Sequence, residues 1–207
     1  MVSESANRRS KIQLWLIILM VASVFAAAFL VMPANEEEKA RLLSILGTSN
    51  KGTLLTPMVP IAGLSTQQGD KPWRWDELKP KWRFVLPIVD GCGEPCRDML
   101  YKSRQVHVRL DKKAHRVGRV LLNLGRPLDE QSLEFLKSEH IYLNQVSADR
   151  GAFTDLLAAT NADWDEHKTR LFIVDQLGNL MMYYTPEHEG SDMLTDLRHL
   201  LKYSPEP

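Results

Sequence analysis

Only two side chains in this 207-residue sequence combine nucleophilic sulfur with close spacing: Cys92 and Cys96, the chain's only cysteines. They stand in Val89-Asp90-Gly91-Cys92-Gly93-Glu94-Pro95-Cys96-Arg97-Asp98, behind the apolar run Phe84-Val85-Leu86-Pro87-Ile88-Val89. That run reads as a buried strand, the glycines as a turn, and Pro95 as a residue of the first helical turn, where a missing amide donor is tolerated. Cys92 then lies in the turn and Cys96 in the first turn of the helix, beside unsatisfied N–H groups and the positive end of the dipole. Such surroundings lower a thiol pKa and favour the thiolate, the form that attacks disulfides and binds soft metals. Three uses stay open: a metal-binding pair, a redox pair in which Cys92 attacks and Cys96 resolves, and a structural link. The last would close too short a loop to stabilise the fold much.

Which use applies depends on compartment. Residues 12–32 carry no charge and consist mostly of Leu, Ile, Val, Ala, Phe and Met, enough for a helix of roughly 30 Å, the thickness of a bilayer core. Arg8, Arg9 and Lys11 precede the run and Glu36, Glu37 and Glu38 follow it, so the positive-inside bias puts residues 1–11 in the cytoplasm. The run is longer than a signal-peptide core, and Met32-Pro33-Ala34 is a poor cleavage site. A retained anchor is therefore expected: a single-pass protein of the cell membrane whose remainder, 33–207, is exported. In a bacterium that side is the periplasm, where disulfides form.

Composition narrows the partners. Lys plus Arg and Asp plus Glu number 26 each, so nothing suggests nucleic-acid binding, which shows as a clustered basic excess. No phosphate loop, Ser-His-Asp set or paired catalytic carboxylate stands out. His107 and His115 sit among Lys102, Arg104, Arg109, Lys112 and Lys113, a run that reads as a solvated face. His188, between Glu187 and Glu189, reads as part of an exposed loop and a reserve ligand at most.

The elements that must position the cysteines follow from periodicity. Residues 33–69 read as a spacer, with a short helix over 36–46 and an extended stretch from Asn50 to Pro60 between turn formers. The domain proper is placed at 70–207. Trp73, Trp75 and Trp82 are expected to close one edge of its core. Helix is expected over 97–112, strand over 117–124, helix over 129–139, strand over 141–146 and helix over 150–160. A hairpin, 169–175 with 180–184, and an amphipathic helix over 191–203 complete the chain. Alternating units ending in a hairpin predict a mixed α/β sheet covered by helices.

With these features the sequence resembles the thioredoxin superfamily, and within it the Sco/SenC family of membrane-anchored cytochrome oxidase assembly proteins. The resemblance rests on the single anchor, Cys-x-x-x-Cys at 92 to 96 after a strand, His167 ahead of Leu171-Phe172-Ile173-Val174-Asp175-Gln176-Leu177-Gly178, and the terminal helix. More narrowly, the chain is similar to small thioredoxin-like membrane proteins associated with haem A synthase. The resemblance implies copper held by Cys92, Cys96 and His167. Two thiolates and an imidazole form a soft, low-coordinate set suited to Cu(I) and able to hold Cu(II) as well. It also implies a partner: a cytochrome c oxidase subunit or its copper site. Thiol–disulfide exchange that keeps the oxidase cysteines reduced is the alternative, and a non-catalytic assembly scaffold a third reading. Ordinary thioredoxin-like oxidoreductases carry Cys-x-x-Cys and a proline just before the late strand, whereas residues 161–170 contain none, which favours copper. Two positions depart from the Sco pattern. Pro95 precedes Cys96 with Arg97 after it, and Asn123-Leu124-Gly125-Arg126-Pro127 replaces an acidic loop.

Overall fold

The computed structural model describes residues 2–31, 50–162 and 164–206. The chain divides into two units, Met1–Thr48 and Ser49–Pro207. In the first, helix α1 (Val2–Val31) runs for 30 residues, about 45 Å at 1.5 Å per residue. Leu14, Trp15, Ile17, Leu19, Phe25 and Phe29 are among its exposed apolar side chains. Judged on the described residues, no helix is long and apolar enough to cross a membrane, so the anchor over 12–32 rests on the sequence. The expected helix over 36–46 lies outside the described residues.

The second unit is built on one eight-stranded sheet. Its strands are β1 (Thr53–Pro60), β2 (Thr66–Gln68), β3 (Lys71–Trp73), β4 (Trp82–Ile88), β5 (Val117–Asn123), β6 (Leu143–Ala148), β7 (Leu171–Val174) and β8 (Asn179–Tyr184). The spatial order is β1-β8-β7-β4-β5-β6-β2-β3. Strands β4, β5 and β6 are parallel, with Trp82 opposite Val117 and Arg119 opposite Leu143. The pairs β4–β7, β7–β8, β8–β1, β6–β2 and β2–β3 are antiparallel. The sheet thus starts ahead of residue 70: most of the stretch read as spacer from Asn50 onward supplies two of its strands. Pro57 and Pro60 hide this in the sequence, because proline argues against a central strand yet suits an edge.

Four helices cover the sheet: α2 (Glu94–Arg109), α3 (Glu130–Glu139), α4 (Arg150–Ala158) and α5 (Gly190–Tyr203). Alternate residues of β4 point to opposite faces, as the period of two requires. Phe84, Leu86 and Ile88 pack with Met99, Leu100 and Val106 of α2 and Met193, Leu194, Leu197 and Leu201 of α5. Val85 joins Val120, Phe172, Phe153 and Leu157 on the α4 side. Every residue of β4 is buried, which is why it reads as an unbroken apolar run. The tryptophans split between the faces: Trp82 belongs to the first core and Trp75 to the second, with Trp73 packed against it.

Side-chain caps start three of the helices. Asp129 accepts from Ser132 N–H at 2.7 Å and Asp149 from Ala152 N–H at 2.8 Å, while Glu189 and Asp192 form a reciprocal capping box on α5. Helix α2 differs: Gly93 is its N-cap and offers no side-chain bond. Its first-turn amide dipoles are left to act on the neighbouring cysteines.

Candidate dithiol site

Strand β4 delivers the chain to Asp90, and Gly91, at φ +83°, makes the turn that glycine alone adopts without strain. The structure then brings the two predicted sulfurs together. Cys92 and Cys96 form a disulfide with their Cα atoms 5.1 Å apart. Both are buried, at 5% and 4% exposure, in the core between β4, α2 and α5. The loop is backed by the segment leaving β5: Leu124 N–H donates to Ile88 O at 2.8 Å, and Gly125 approaches so closely that a Cβ there would collide with the carbonyl of Val89.

His167 is 72% exposed on the segment ahead of β7. Antiparallel pairing of β4 with β7 carries that segment to the end of the sheet where β4 delivers Asp90. Its Nδ1 lies 4.0 Å from Asp90 Oδ2, and its Nε2 lies 3.7 Å from Glu166 Oε1. The third residue of the expected ligand set therefore stands beside the residue two places before Cys92, facing carboxylates rather than sulfur. Among the described residues, no group of three or more His, Cys, Asp or Glu side chains is placed to hold a metal ion. The donor types still suit copper: the thiolates become available on reduction, and His167 is an exposed side chain whose contacts to Asp90 and Glu166 are long and contribute little at a solvated surface.

The other histidines go elsewhere. His188 is tied into its hairpin, with Nδ1 bonded to Thr185 and Nε2 3.0 Å from Lys51 O. His115 is exposed. His107 is not the solvated side chain its charged neighbours suggest: it is half-buried, Nε2 lies 3.0 Å from Ala114 O and 3.2 Å from Val117 O, and burial, with Arg119 second, lowers its pKa.

A groove of about 640 Å³ opens beside the disulfide, lined by Gly93, Arg97, Tyr101, Arg104, Phe135 and His140, among others. Arg97 joins it to the dithiol loop. Its Nε donates to Cys92 O at 3.1 Å, and its guanidinium lies 4.8 Å from the Phe135 ring centroid. Behind the groove, Arg119 is 3% exposed and donates to Leu100 O at 2.8 Å, to Ser103 Oγ and to His140 Nδ1 at 3.3 Å. Burial, then the charge of Arg104, lowers the Arg119 pKa to about 10, so it stays cationic at neutral pH. His140, 4% exposed, is held neutral: burial first, then Arg119 and Arg104, push its pKa down to about 4. As the acceptor at Nδ1 it carries its proton on Nε2.

This cluster escaped sequence reasoning. The available signal was one cation, Arg119, at an inward position of an otherwise apolar strand, where a charge needs several hydrogen-bond partners.

Solved structures share this fold. The apo Sco1 protein of Thermus thermophilus aligns with 16% identity and TM-score 0.56, covering 74% of this chain and 99% of that chain. Yeast Sco1 with copper bound aligns with 12% identity and TM-score 0.55, over 77% and 97%. BsSco, a member of the Sco family of cytochrome c oxidase assembly proteins in which a disulfide switch was identified, gives 13%, 0.53, 72% and 96%. At such identities the likeness establishes a thioredoxin-like α/β fold of the Sco type. No curated protein matches the sequence. Residues 82–204, from the first residue of β4 to just past α5, match the family described as transmembrane-like, thioredoxin-like, C-terminal domain, and the chain belongs to that family.

Proposed function

We propose that this chain is a membrane-anchored, export-side copper-binding assembly factor for cytochrome c oxidase, using Cys92, Cys96 and His167. The observation that carries the reading is the arrival of His167 beside Asp90, 4.0 Å away, on the loop that holds the two cysteines. Sco-type neighbours of the same fold, one with copper bound, support it, and the sequence likeness to proteins associated with haem A synthase suggests the same setting. Copper is cargo here. A dithiol donor first supplies two electrons and two protons to open the disulfide. The metal then displaces the thiol protons, so affinity rises with pH. The uncapped start of α2 favours both thiolates. His167 leaves its carboxylates to supply the imidazole.

The test is Cu(I) titration of the reduced full-length protein in detergent against a competing chelator. Cys92→Ser and Cys96→Ser abolish stoichiometric binding, and His167→Ala weakens it by at least tenfold. Unchanged affinity in His167→Ala removes the histidine from the ligand set.

One observation favours a second reading: the cysteines form a closed disulfide. That is the product state of a thiol–disulfide reductase that has delivered its two electrons. Reaction of the reduced protein with a disulfide-bonded model peptide, followed by the return of the Cys92–Cys96 bond, distinguishes this activity from metal binding alone. A scaffold role predicts that oxidase assembly survives the double cysteine variant.

A further inference from the structure

We propose that the groove beside the disulfide is a docking site for an extended partner segment carrying Asp or Glu close to its cysteines, and that Arg97 is the residue that recognises the carboxylate. The inference rests on the thiol-exchange reading of Cys92 and Cys96 and names the substrate class of that chemistry.

Charge accounting within the groove leads to Arg97. Arg104 is spent: its Nη1 donates to Glu139 Oε2 at 2.9 Å and to Glu139 O. Asp98 is spent on Lys102, 2.9 Å away. Arg97 is exposed, and among the ion pairs of the described residues it has no carboxylate partner. Asp129 feels its charge, but the Asp129 carboxylate is committed first to Ser132. The Arg97 side chain is nonetheless fixed, with Nε on Cys92 O and one face on the Phe135 ring. A guanidinium held by its Nε edge and one face keeps its two Nη groups for a ligand, the geometry of bidentate carboxylate recognition. Tyr101 and the Phe135 edge supply apolar wall, the surface an extended peptide needs between polar contacts. Three carboxylates also line the groove: Asp98 and Glu139 are neutralised in the pairs just named, and Glu94, with no partner among the ion pairs of the described residues, opposes an acidic ligand.

The arrangement couples docking to chemistry. The residue that would grip the partner also holds the peptide carbonyl of Cys92. In the exchange step the Cys92 thiolate attacks one sulfur of the partner disulfide, whose other sulfur leaves as thiolate. Cys96 then attacks the Cys92 sulfur of the mixed disulfide, closing the Cys92–Cys96 bond and freeing the second partner sulfur. Two electrons pass to the partner.

The test uses full-length protein in detergent and disulfide-bonded nonapeptides bearing a single Asp, or Asn as control, one to three residues to either side of a cysteine. Serine versions of each peptide measure binding by fluorescence anisotropy without exchange. At one or more positions Asp is expected to bind roughly five- to tenfold more tightly than Asn, the scale of an exposed charge-assisted pair. The preference disappears in Arg97→Gln, is partly kept in Arg97→Lys and grows in Glu94→Gln. Equal binding of Asp and Asn peptides at every position overturns the proposal, and so does an Arg97→Gln variant that weakens both equally. Preferential binding without any exchange leaves the docking site standing and removes the reductase reading instead.

Discussion

Asp196 on α5 ties the start of β1 to the body of the domain, and replacing it should loosen that end of the sheet. Its carboxylate is buried and accepts from Lys51 N–H at 3.0 and 2.9 Å, from Gly52 N–H at 2.9 Å and from the Tyr184 hydroxyl at 3.0 Å. In Asp196→Ala the Lys51 amide, near the surface, returns to water, but Gly52 N–H is left buried without a partner and the Tyr184 hydroxyl keeps only the weak Met182 Sδ acceptor at 3.6 Å. At about 1.5–3 kcal/mol for each buried hydrogen bond to the carboxylate that is lost, the expected loss is about 4 kcal/mol. Asp196→Asn keeps one acceptor oxygen and should lose about half of that. With a slope near 2 kcal/mol per molar for a domain of this size, the urea midpoint falls by about 2 M for alanine and about 1 M for asparagine. Tryptophan fluorescence of the full chain in detergent reads the transition through buried Trp75 and Trp82. Because Tyr184→Phe removes a donor from the same carboxylate, the double variant should fall short of the summed single losses by about 1 kcal/mol. A midpoint for Asp196→Ala within about 0.3 M of the parent would refute the reasoning.

Other consequences are open to measurement. His140 has its pKa lowered to about 4 in the folded state against 6.5 unfolded. The unfolded chain therefore takes up the proton first, and stability present above pH 6.5 is lost as pH falls toward 4, by about 2 kcal/mol between pH 7 and 5. Urea titrations across that range should show the slope flattened in His140→Gln, and an unchanged slope would exonerate the histidine. Reducing the disulfide should remove about 2 kcal/mol, the chain-entropy value for so short a loop. Far-UV circular dichroism of the reduced protein should match the oxidised form, whereas unfolding on reduction would make the bond structural. Gly125→Ala drives a methyl group into the Val89 carbonyl, so the urea midpoint should fall by about 1 M. Alkylation of the reduced Cys92 should accelerate as its loop is displaced, and parental behaviour in both assays would show that the close approach is not needed.

Local signals were legible in this sequence, and long-range ones were not. Asp129 marks the start of α3, and Gly178, at φ +87°, the β7–β8 turn, because each acts on neighbours within a few residues. The Cys92–Cys96 pair is equally local, and its strand–turn–helix setting could be read directly. The approach of His167 to Asp90 depends on β4 pairing with β7 across more than seventy residues of chain, which periodicity cannot encode. The resemblance to Sco proteins supplied a different expectation, that His167 joins the two cysteines. Arg119 and Asp196 break otherwise apolar faces, but their partners, Leu100 O and His140 in one case and the Lys51 and Gly52 amides in the other, come from distant segments. Strands β2 and β3 were obscured because they are three residues each, too short to display alternation, and β1 because of its two prolines.

The two outer strands of the sheet carry a further consequence. Along β1, Pro57 and Pro60 offer no amide donor, and Asn161 occupies backbone groups that would otherwise face outward. It accepts from Thr56 N–H at 2.8 Å, donates its own N–H to Thr56 O at 3.0 Å and caps Leu54 O at 3.1 Å. At the opposite border β3 is only Lys71-Pro72-Trp73, short, charged and interrupted by proline. Neither border is a template for another strand, so copies crowded together have no easy route to amyloid-like stacking. If the dithiol exchanges disulfides as proposed, the same blunted borders keep an unpaired strand of its partner from joining the sheet.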